Sequence, residues 1–228
     1  MEVAVWNILE TLSASDGDED WSCIRRLVRK DLADNLRDLL EHGFKAKRRG
    51  FCRFFLRQLG SCDVVNEGHA WDLLLAYYRA SSGHHFSAYP RRSLSRSYGL
   101  CIGSEAPSGK ERLLAVVEEL EATRKTCGRD ADSVFRAFVC AALNMRRLAA
   151  WLRRVVRCRA LVQTLYEPWA YVARTRARDA LDSLARLQAR TFRLPLDPAL
   201  RSLHAQWLSL PPAPCLPSPE AADVDSAK

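Results

Sequence analysis

Apolar residues recur along this chain at intervals of three and four, the spacing that gathers side chains on one face of a helix. Val5, Ile8, Leu9 and Leu12 give a first helix. The polar, acidic stretch from Ser13 to Asp20 ends it. Asp20 is placed to cap a long second helix, because a carboxylate there can accept from the free N–H groups of the first turn. That helix has the stripe Ile24, Leu27, Val28, Leu32, Leu36, Leu39 and Leu40, and Gly43 stands where a left-handed residue would stop it. Phe51, Phe54, Phe55 and Leu59 predict a short third helix, and Trp71, Leu74, Leu75 and Tyr78 a fourth.

From Ser81 to Pro107 the periodicity fails and Ser, Gly, Arg and His dominate, which reads as an exposed insertion within one domain. Order resumes at Ser108, where Ser108 and Glu111 match the capping box, each side chain satisfying the other's backbone N–H. Leu113, Val116, Val117 and Leu120 follow, and Cys127 with Gly128 closes the helix. Asp132 is expected to cap the next helix, with Phe135, Phe138, Val139 and Ala142 inward. Near Asn144 the pattern restarts as Leu148, Trp151, Leu152 and Val155. Leu161, Val162 and Leu165 lead to Pro168, which disfavours helix at Glu167 and starts a new element. Tyr166 and Trp169 are both expected to be structural, with Trp169 against the helix of Trp151, so that truncating it costs about 3–5 kcal/mol. Ala177, Ala180, Leu181, Leu184 and Leu187 give a further helix. Phe192, Leu194 and Leu196 alternate, but Pro195 argues for an extended connector rather than a central strand. Asp197 and Pro198 open a last helix with Leu200, Leu203 and Trp207 inward, and Pro, Ala and Ser dominate afterwards.

The expected fold is therefore all-α. Residues 1–19 form an N-terminal helix and acidic loop. Residues 20–209 form one multi-helix domain with a flexible insertion at 81–107, and 210–228 form a disordered tail. A 48% hydrophobic content can fill such a core, and 27% charged residues can cover it. None of the eight cysteines forms a C-x-x-C pair, which points to a reducing compartment and to no zinc site. The first residues, Met1 to Trp6, lack the basic start and apolar run of a signal peptide. No stretch approaches the ~20 apolar residues that span a bilayer. A cytoplasmic protein is expected, with peripheral docking on endomembranes open to it.

Catalytic signatures do not assemble. Gly103 to Glu111 falls short of a phosphate-binding loop, with five residues between its glycines and Glu111 where a Mg²⁺-binding hydroxyl is needed. His84 and His85 are adjacent and point apart, with no acidic or Cys partner nearby. No enzyme activity, cofactor or metal is expected. The net charge of +8 carries more information. Lys45, Lys47, Arg48 and Arg49 cluster after the second helix. Arg146, Arg153 and Arg157, spaced by seven and eleven, would share one helix side away from the Leu148 to Val155 stripe. Such runs usually only solubilise a surface; the functional reading is a docking ridge for an acidic partner.

Several blocks, in order, resemble the RUN domain family. Phe135 to Asn144, followed by Arg147, Leu148, Trp151 and Leu152, resembles the family's aromatic helix ending in Leu-Asn. Tyr166, Glu167, Pro168 and Trp169 resemble its Tyr-x-Pro-Trp segment, and Phe192 to Leu196 its closing Phe-x-Leu stretch. Leu39 to Lys45 resembles a Leu-x-His-Gly-Leu-Lys block, and Trp71 to Leu74 a Phe-Trp-x-x-Leu segment. Phe135 to Phe138 departs from the family's Gly-Arg-Ala-Trp, and the 81–107 loop is longer than usual. The resemblance implies a helical adaptor for small GTPases of the Rab, Rap and Arf-like classes, or for trafficking and motor proteins in vesicle traffic. An anionic membrane surface is a further docking target, and nucleic acid is not expected. The alternative, resting on net charge, is a basic nucleic-acid-binding or peripheral membrane-binding protein.

Overall fold

A computed structural model of the chain describes residues 1–14, 21–45, 68–81 and 108–195. The third helix expected at 51–59, the body of the insertion, the last helix at 200–207 and the tail lie outside the described residues, as do Asp20, His84 and His85. Within them the chain is helical. The elements are α1 (Glu2–Ala14), α2 (Trp21–Arg26), a π-helical turn (Leu27–Leu32), α3 (Ala33–Glu41), α4 (Ala70–Ala80), α5 (Gly109–Cys127), α6 (Ala131–Asn144), α7 (Leu148–Val156), α8 (Arg159–Leu165), α9 (Tyr171–Thr175), α10 (Arg178–Ala185) and a 3-10 turn (Arg186–Ala189). No strand occurs among the described residues; one isolated antiparallel bridge pairs Phe44 with Tyr166.

The long second helix of the sequence pattern is continuous from Trp21 to Glu41, with the π turn inserted in its middle. The arrangement around it follows from one sequence feature. Leu73, Leu74, Leu75, Ala76, Tyr77 and Tyr78 leave α4 no polar stripe, and a helix apolar all round must run through the centre. It does: α3, α5, α6, α7 and α8 all pack against it. The core is one contiguous cluster that includes Val5 and Ile8 of α1, so the N-terminal helix shares the core of the larger domain. Its aromatic spine runs from Trp71 to Phe138, 6.3 Å between ring centres, and on to Trp151 at 6.0 Å.

Helix ends are set locally. The Ser108–Glu111 capping box starts α5, and Gly128 ends it with φ of +58°. At the start of α6 the cap is Asp130, which accepts from the Ser133 N–H at 3.3 Å, and not Asp132 as expected. Asp130 has the extended backbone a cap requires, whereas Asp132 lies inside the first turn and its carboxylate is engaged elsewhere. The restart near Asn144 is a Schellman closure, with Arg147 N–H donating to the Ala142 carbonyl and Arg146 N–H to that of Leu143. Asn144 itself clamps the extended 191–195 segment. Its Nδ2 donates to the Leu194 carbonyl at 2.8 Å and its Oδ1 accepts from the Leu194 N–H at 2.9 Å. Phe192 and Leu194 are buried, and Thr191 and Arg193 exposed, so the expected extended connector is present.

The Trp71 indole is the polar tip of the spine. It donates to Glu121 Oε2 at 3.0 Å, and Arg124 Nε donates to the same oxygen at 2.8 Å. Burial alone would push the Glu121 carboxyl up, but the bonds from Arg124 and Trp71 outweigh it and hold its pKa below the usual glutamate range. A carboxyl with a depressed folded-state pKa contributes stability that is present above its unfolded pKa and is lost as pH falls through the folded value. Stability to urea should therefore fall as the pH drops from about 5 to about 3, and Glu121→Gln should make that fall shallower. Identical slopes for the two proteins would remove Glu121 from the acid response.

Candidate partner-binding surfaces

The tightest local closure joins the end of α3 to the α8–α9 turn. Gly43 has φ of +77°, and a Cβ at this position would lie 2.4 Å from the Ala170 Cβ, so only glycine fits both the backbone and the space. The next residues pair as a two-bond bridge: Lys45 N–H donates to the Leu165 carbonyl and Glu167 N–H to that of Gly43, each at 2.9 Å. The Phe44 and Tyr166 rings stack obliquely with centres 4.6 Å apart. Tyr166 is buried, and its hydroxyl donates to the Leu40 carbonyl at 2.6 Å. Burial pushes its phenol pKa well above the usual tyrosine value.

Trp169 does not join that core. The residues from Glu167 to Ala170 form a turn closed by the Ala170 N–H on the Glu167 carbonyl at 3.0 Å, with Pro168 and Trp169 at its tip. The two middle side chains of such a turn project outward, and the inward seat against Gly43 is taken by Ala170, which is fully buried. Trp169 is 60% exposed; its ring meets the edge of His42, 5.5 Å away at 88°, and its Cζ3 lies beside Gly43. The expected packing against the helix of Trp151 is corrected accordingly; the expected structural role of Tyr166 holds.

The basic residues singled out from the sequence do not form one ridge. Arg146 lies in the turn between α6 and α7 with φ of +56°, not on a helix shared with Arg153, and its Nε donates to the Gln188 carbonyl at 2.7 Å. The Schellman closure breaks the helical register assumed in spacing Arg146 from Arg153 and Arg157. Arg153, on α7, pairs with Asp182 of α10 at 2.8 Å. Arg157, the C-cap of α7, is exposed and pairs with no carboxylate among the described residues. Lys45 is half-buried, with its ammonium on the Gln163 carbonyl. Lys47, Arg48 and Arg49 lie outside the described residues.

A denser cationic surface lies on α2 and the π turn, apart from the basic residues named above. Arg25, Arg26, Arg29 and Lys30, from α2 and the π turn, line a groove of about 420 Å³ with Arg136 of α6 on its other side. The signal was present in the sequence: these residues recur at i, i+1, i+4 and i+5 between the apolar positions Ile24, Val28 and Leu32.

The model of the RUN domain matches residues 31–198. The chain belongs to the RUN domain family. Small G protein signaling modulator 3 of Bos taurus is 26% identical over 150 residues, which are 64% of this chain and 18% of that protein. The chain thus covers less than a fifth of that relative's length.

Within this RUN domain the sequence blocks that resemble the family meet in space. The blocks at 39–45 and 166–170 are the two halves of the Gly43–Ala170 closure. Asn144 and the 192–196 block meet in the Asn144–Leu194 clamp. A third junction ties α3, α4 and α6. Asp132 accepts from Arg37 Nη1 at 2.9 Å and from His69 Nε2 at 3.0 Å, while His69 Nδ1 accepts from the Trp71 N–H at 2.9 Å. With Nδ1 accepting, the imidazole proton sits on Nε2, and Glu41 accepts from the Ala70 N–H at 3.0 Å beside it. Burial would push the Asp132 carboxyl up; the bonds from His69 and Arg37 hold it below the usual aspartate range instead. This junction is a structural tie: among the described residues no group of three or more His, Cys, Asp or Glu side chains is arranged to hold a metal ion.

The placement of Trp169 makes a measurable contrast with Gly43. Trp169→Ala should change stability by less than about 1 kcal/mol, as surface substitutions do. Gly43→Ala must enter the left-handed region and displace Ala170, and should cost more than about 2 kcal/mol. Thermal melts of the two variants decide; an equal, large loss for Trp169→Ala would place its indole in the core.

Proposed function

We propose that this chain is a non-catalytic adaptor module that binds a small GTPase of the Rab, Rap or Arf-like class, or a trafficking or motor protein, with Trp169 as the central anchor. Membership of the RUN domain family supports the adaptor reading, and the name of the bovine relative, a small G protein signaling modulator, supports a small G protein as the first partner class to test. The observation that carries the choice of surface is an exposed indole on a turn held by backbone hydrogen bonds and by the close approach of Gly43 to Ala170. Trp is enriched among residues that dominate binding energy, and a pre-ordered turn loses little conformational entropy on docking. The Gly43–Ala170 closure supplies that order, with His42 and Lys45 beside it.

Basic residues add charge complementarity to this reading. Arg157, Arg153, Arg146 and Lys45, with Lys47, Arg48 and Arg49, are assigned to association with an acidic partner surface, where each exposed charge acts mainly on the encounter rate. Residues 135–205 resemble those of RUN domain-containing protein 1, and that subfamily is part of the proposal. No helix among the described residues is long and apolar enough to cross a membrane, and we assign the module to the cytoplasmic side, at endomembranes.

Capture of a panel of small GTPases, each loaded with a non-hydrolysable GTP analogue or with GDP, tests the proposal. One class should be held in a nucleotide-dependent way, and Trp169→Ala should weaken it by about thirtyfold or more, the effect of losing a hot-spot anchor. The triple change of Arg146, Arg153 and Arg157 to Glu should weaken capture less, and chiefly at low salt. Capture that ignores nucleotide, or an unaffected Trp169→Ala, would contradict the assignment.

A further inference from the structure

Several described cations are paired with a carboxylate, Arg37 with Asp132, Arg124 with Glu121 and Arg153 with Asp182, while others, Arg157 among them, are not. The groove between α2 and α6 gathers four cations of the second kind in one place. Arg25, Arg26, Arg29 and Lys30 have no carboxylate partner among the described residues, although Arg25 stands four residues from Arg29 and Arg26 four from Lys30. Like charges at this spacing repel one another on a helix, so the cluster opposes the element that carries it. Part of it also sits on the π turn, Leu27–Leu32, an irregularity frequently found at functional sites.

Arg136 faces them from α6. Its Nη2 is fixed on Asp34 at 2.9 Å, which orients the guanidinium plane, and its Nε is buried with no hydrogen-bond partner. A buried charged donor without an acceptor is costly to maintain. Ser22 and Ser133 complete the lining. The lining is therefore arginine forks, an ammonium and hydroxyls, with no carboxylate, no aromatic ring and no aliphatic side chain. Arginine forks match phosphate oxygens in geometry as well as charge. The lining has no aromatic ring on which a base could stack, and its apolar surface is that of the arginine and lysine stems. A groove of about 420 Å³ suits a sugar-sized ring bearing several phosphates.

The neighbouring helix speaks to the source of such a ligand. α1 packs on the π turn and on α2, yet it leaves Val3 72% and Trp6 54% exposed, one helical turn apart. Exposed indole and aliphatic groups beside a basic segment are the composition of a surface that rests in the headgroup layer of a bilayer. We propose that the α2–α6 groove binds the multiply phosphorylated headgroup of an anionic membrane lipid. This site is separate from the Trp169 surface and does not depend on the GTPase reading.

The test is co-sedimentation of the full chain with phosphatidylcholine vesicles carrying phosphatidylinositol bisphosphate, against vesicles matched in total charge with phosphatidylserine. Binding to the bisphosphate vesicles should be stronger by about tenfold. Arg25→Glu/Arg29→Glu should lose about tenfold or more of it, whereas Arg178→Glu/Arg190→Glu, the same charge change at two other exposed arginines, should lose less than about threefold. Trp6→Ser should weaken vesicle binding while leaving binding of soluble inositol trisphosphate unchanged. Capture of a GTPase should survive Arg25→Glu/Arg29→Glu, which separates failure of one site from failure of the other. Equal binding to both vesicle types, or equal losses in the two double variants, would reduce the groove to net charge and overturn the proposal. Binding of the soluble headgroup without binding of vesicles would overturn the membrane source.

Discussion

The hydroxyl of Tyr166 reaches 126 residues back along the chain to the Leu40 carbonyl, and the surface of this domain around Trp169 depends on that contact. It gives the Leu40 carbonyl in the last turn of α3 a buried donor from the other half of the fold, while those of Asp38 and Glu41 accept from the His42 and Phe44 N–H groups. Once it is made, Phe44 must lie against the Tyr166 ring and Gly43 against Ala170, since no side chain larger than hydrogen fits at 43. The turn from Glu167 to Ala170 then has a single way to sit, with Ala170 in and Trp169 out. A buried tyrosine and a glycine with no room for a Cβ thus decide the position of an exposed tryptophan that neither of them needs for stability.

The same logic separates the charges that hold the fold from those left over. Asp132 holds α3, α4 and α6 together through Arg37 and His69, and Glu121 satisfies the indole of Trp71. These carboxylates are depressed in pKa because each accepts from cationic or ring N–H donors in a half-buried site. The cations of α2 and the π turn have no such counterpart and line a groove instead. Electrostatics in this domain therefore has two uses, one in ties between elements and one in a groove where cations are gathered.

Much of the fold was legible in the residues. Periodicity located the described helices except α9, whose five residues are too short to show a stripe; Pro195 marked the extended 191–195 segment, the S-x-x-E pattern gave the start of α5, and Gly43 and Gly128 gave two helix ends. Three readings failed for physical reasons. Asp130 and Asp132 are both chemically suited to cap α6, and only the backbone conformation chooses between them. Arg146 was counted along a helix, but a Schellman turn with a non-glycine at positive φ interrupts the count, and arginine gives no warning of that conformation. Trp169 follows a Pro that starts a new element, which suggests an inward ring, but which side of the turn faces the core depends on contacts made by Tyr166 and Ala170 with the distant residues Leu40 and Gly43. The α2–α6 groove was half visible, since the i, i+4 spacing of its arginines could be read, but the approach of Arg136 from a distant helix could not.

Hydrogen exchange of the unliganded protein tests the central claim, that a locked closure presents Trp169, most directly. The amides of Lys45, Glu167 and Ala170 are all bonded within the closure, although Trp169 between them is open to water. They should exchange only with global unfolding, and Tyr166→Phe should accelerate all three together. Fast exchange of Glu167 and Ala170 in the wild-type protein, independent of Lys45, would show that the turn moves freely and that Trp169 is merely a flexible surface residue.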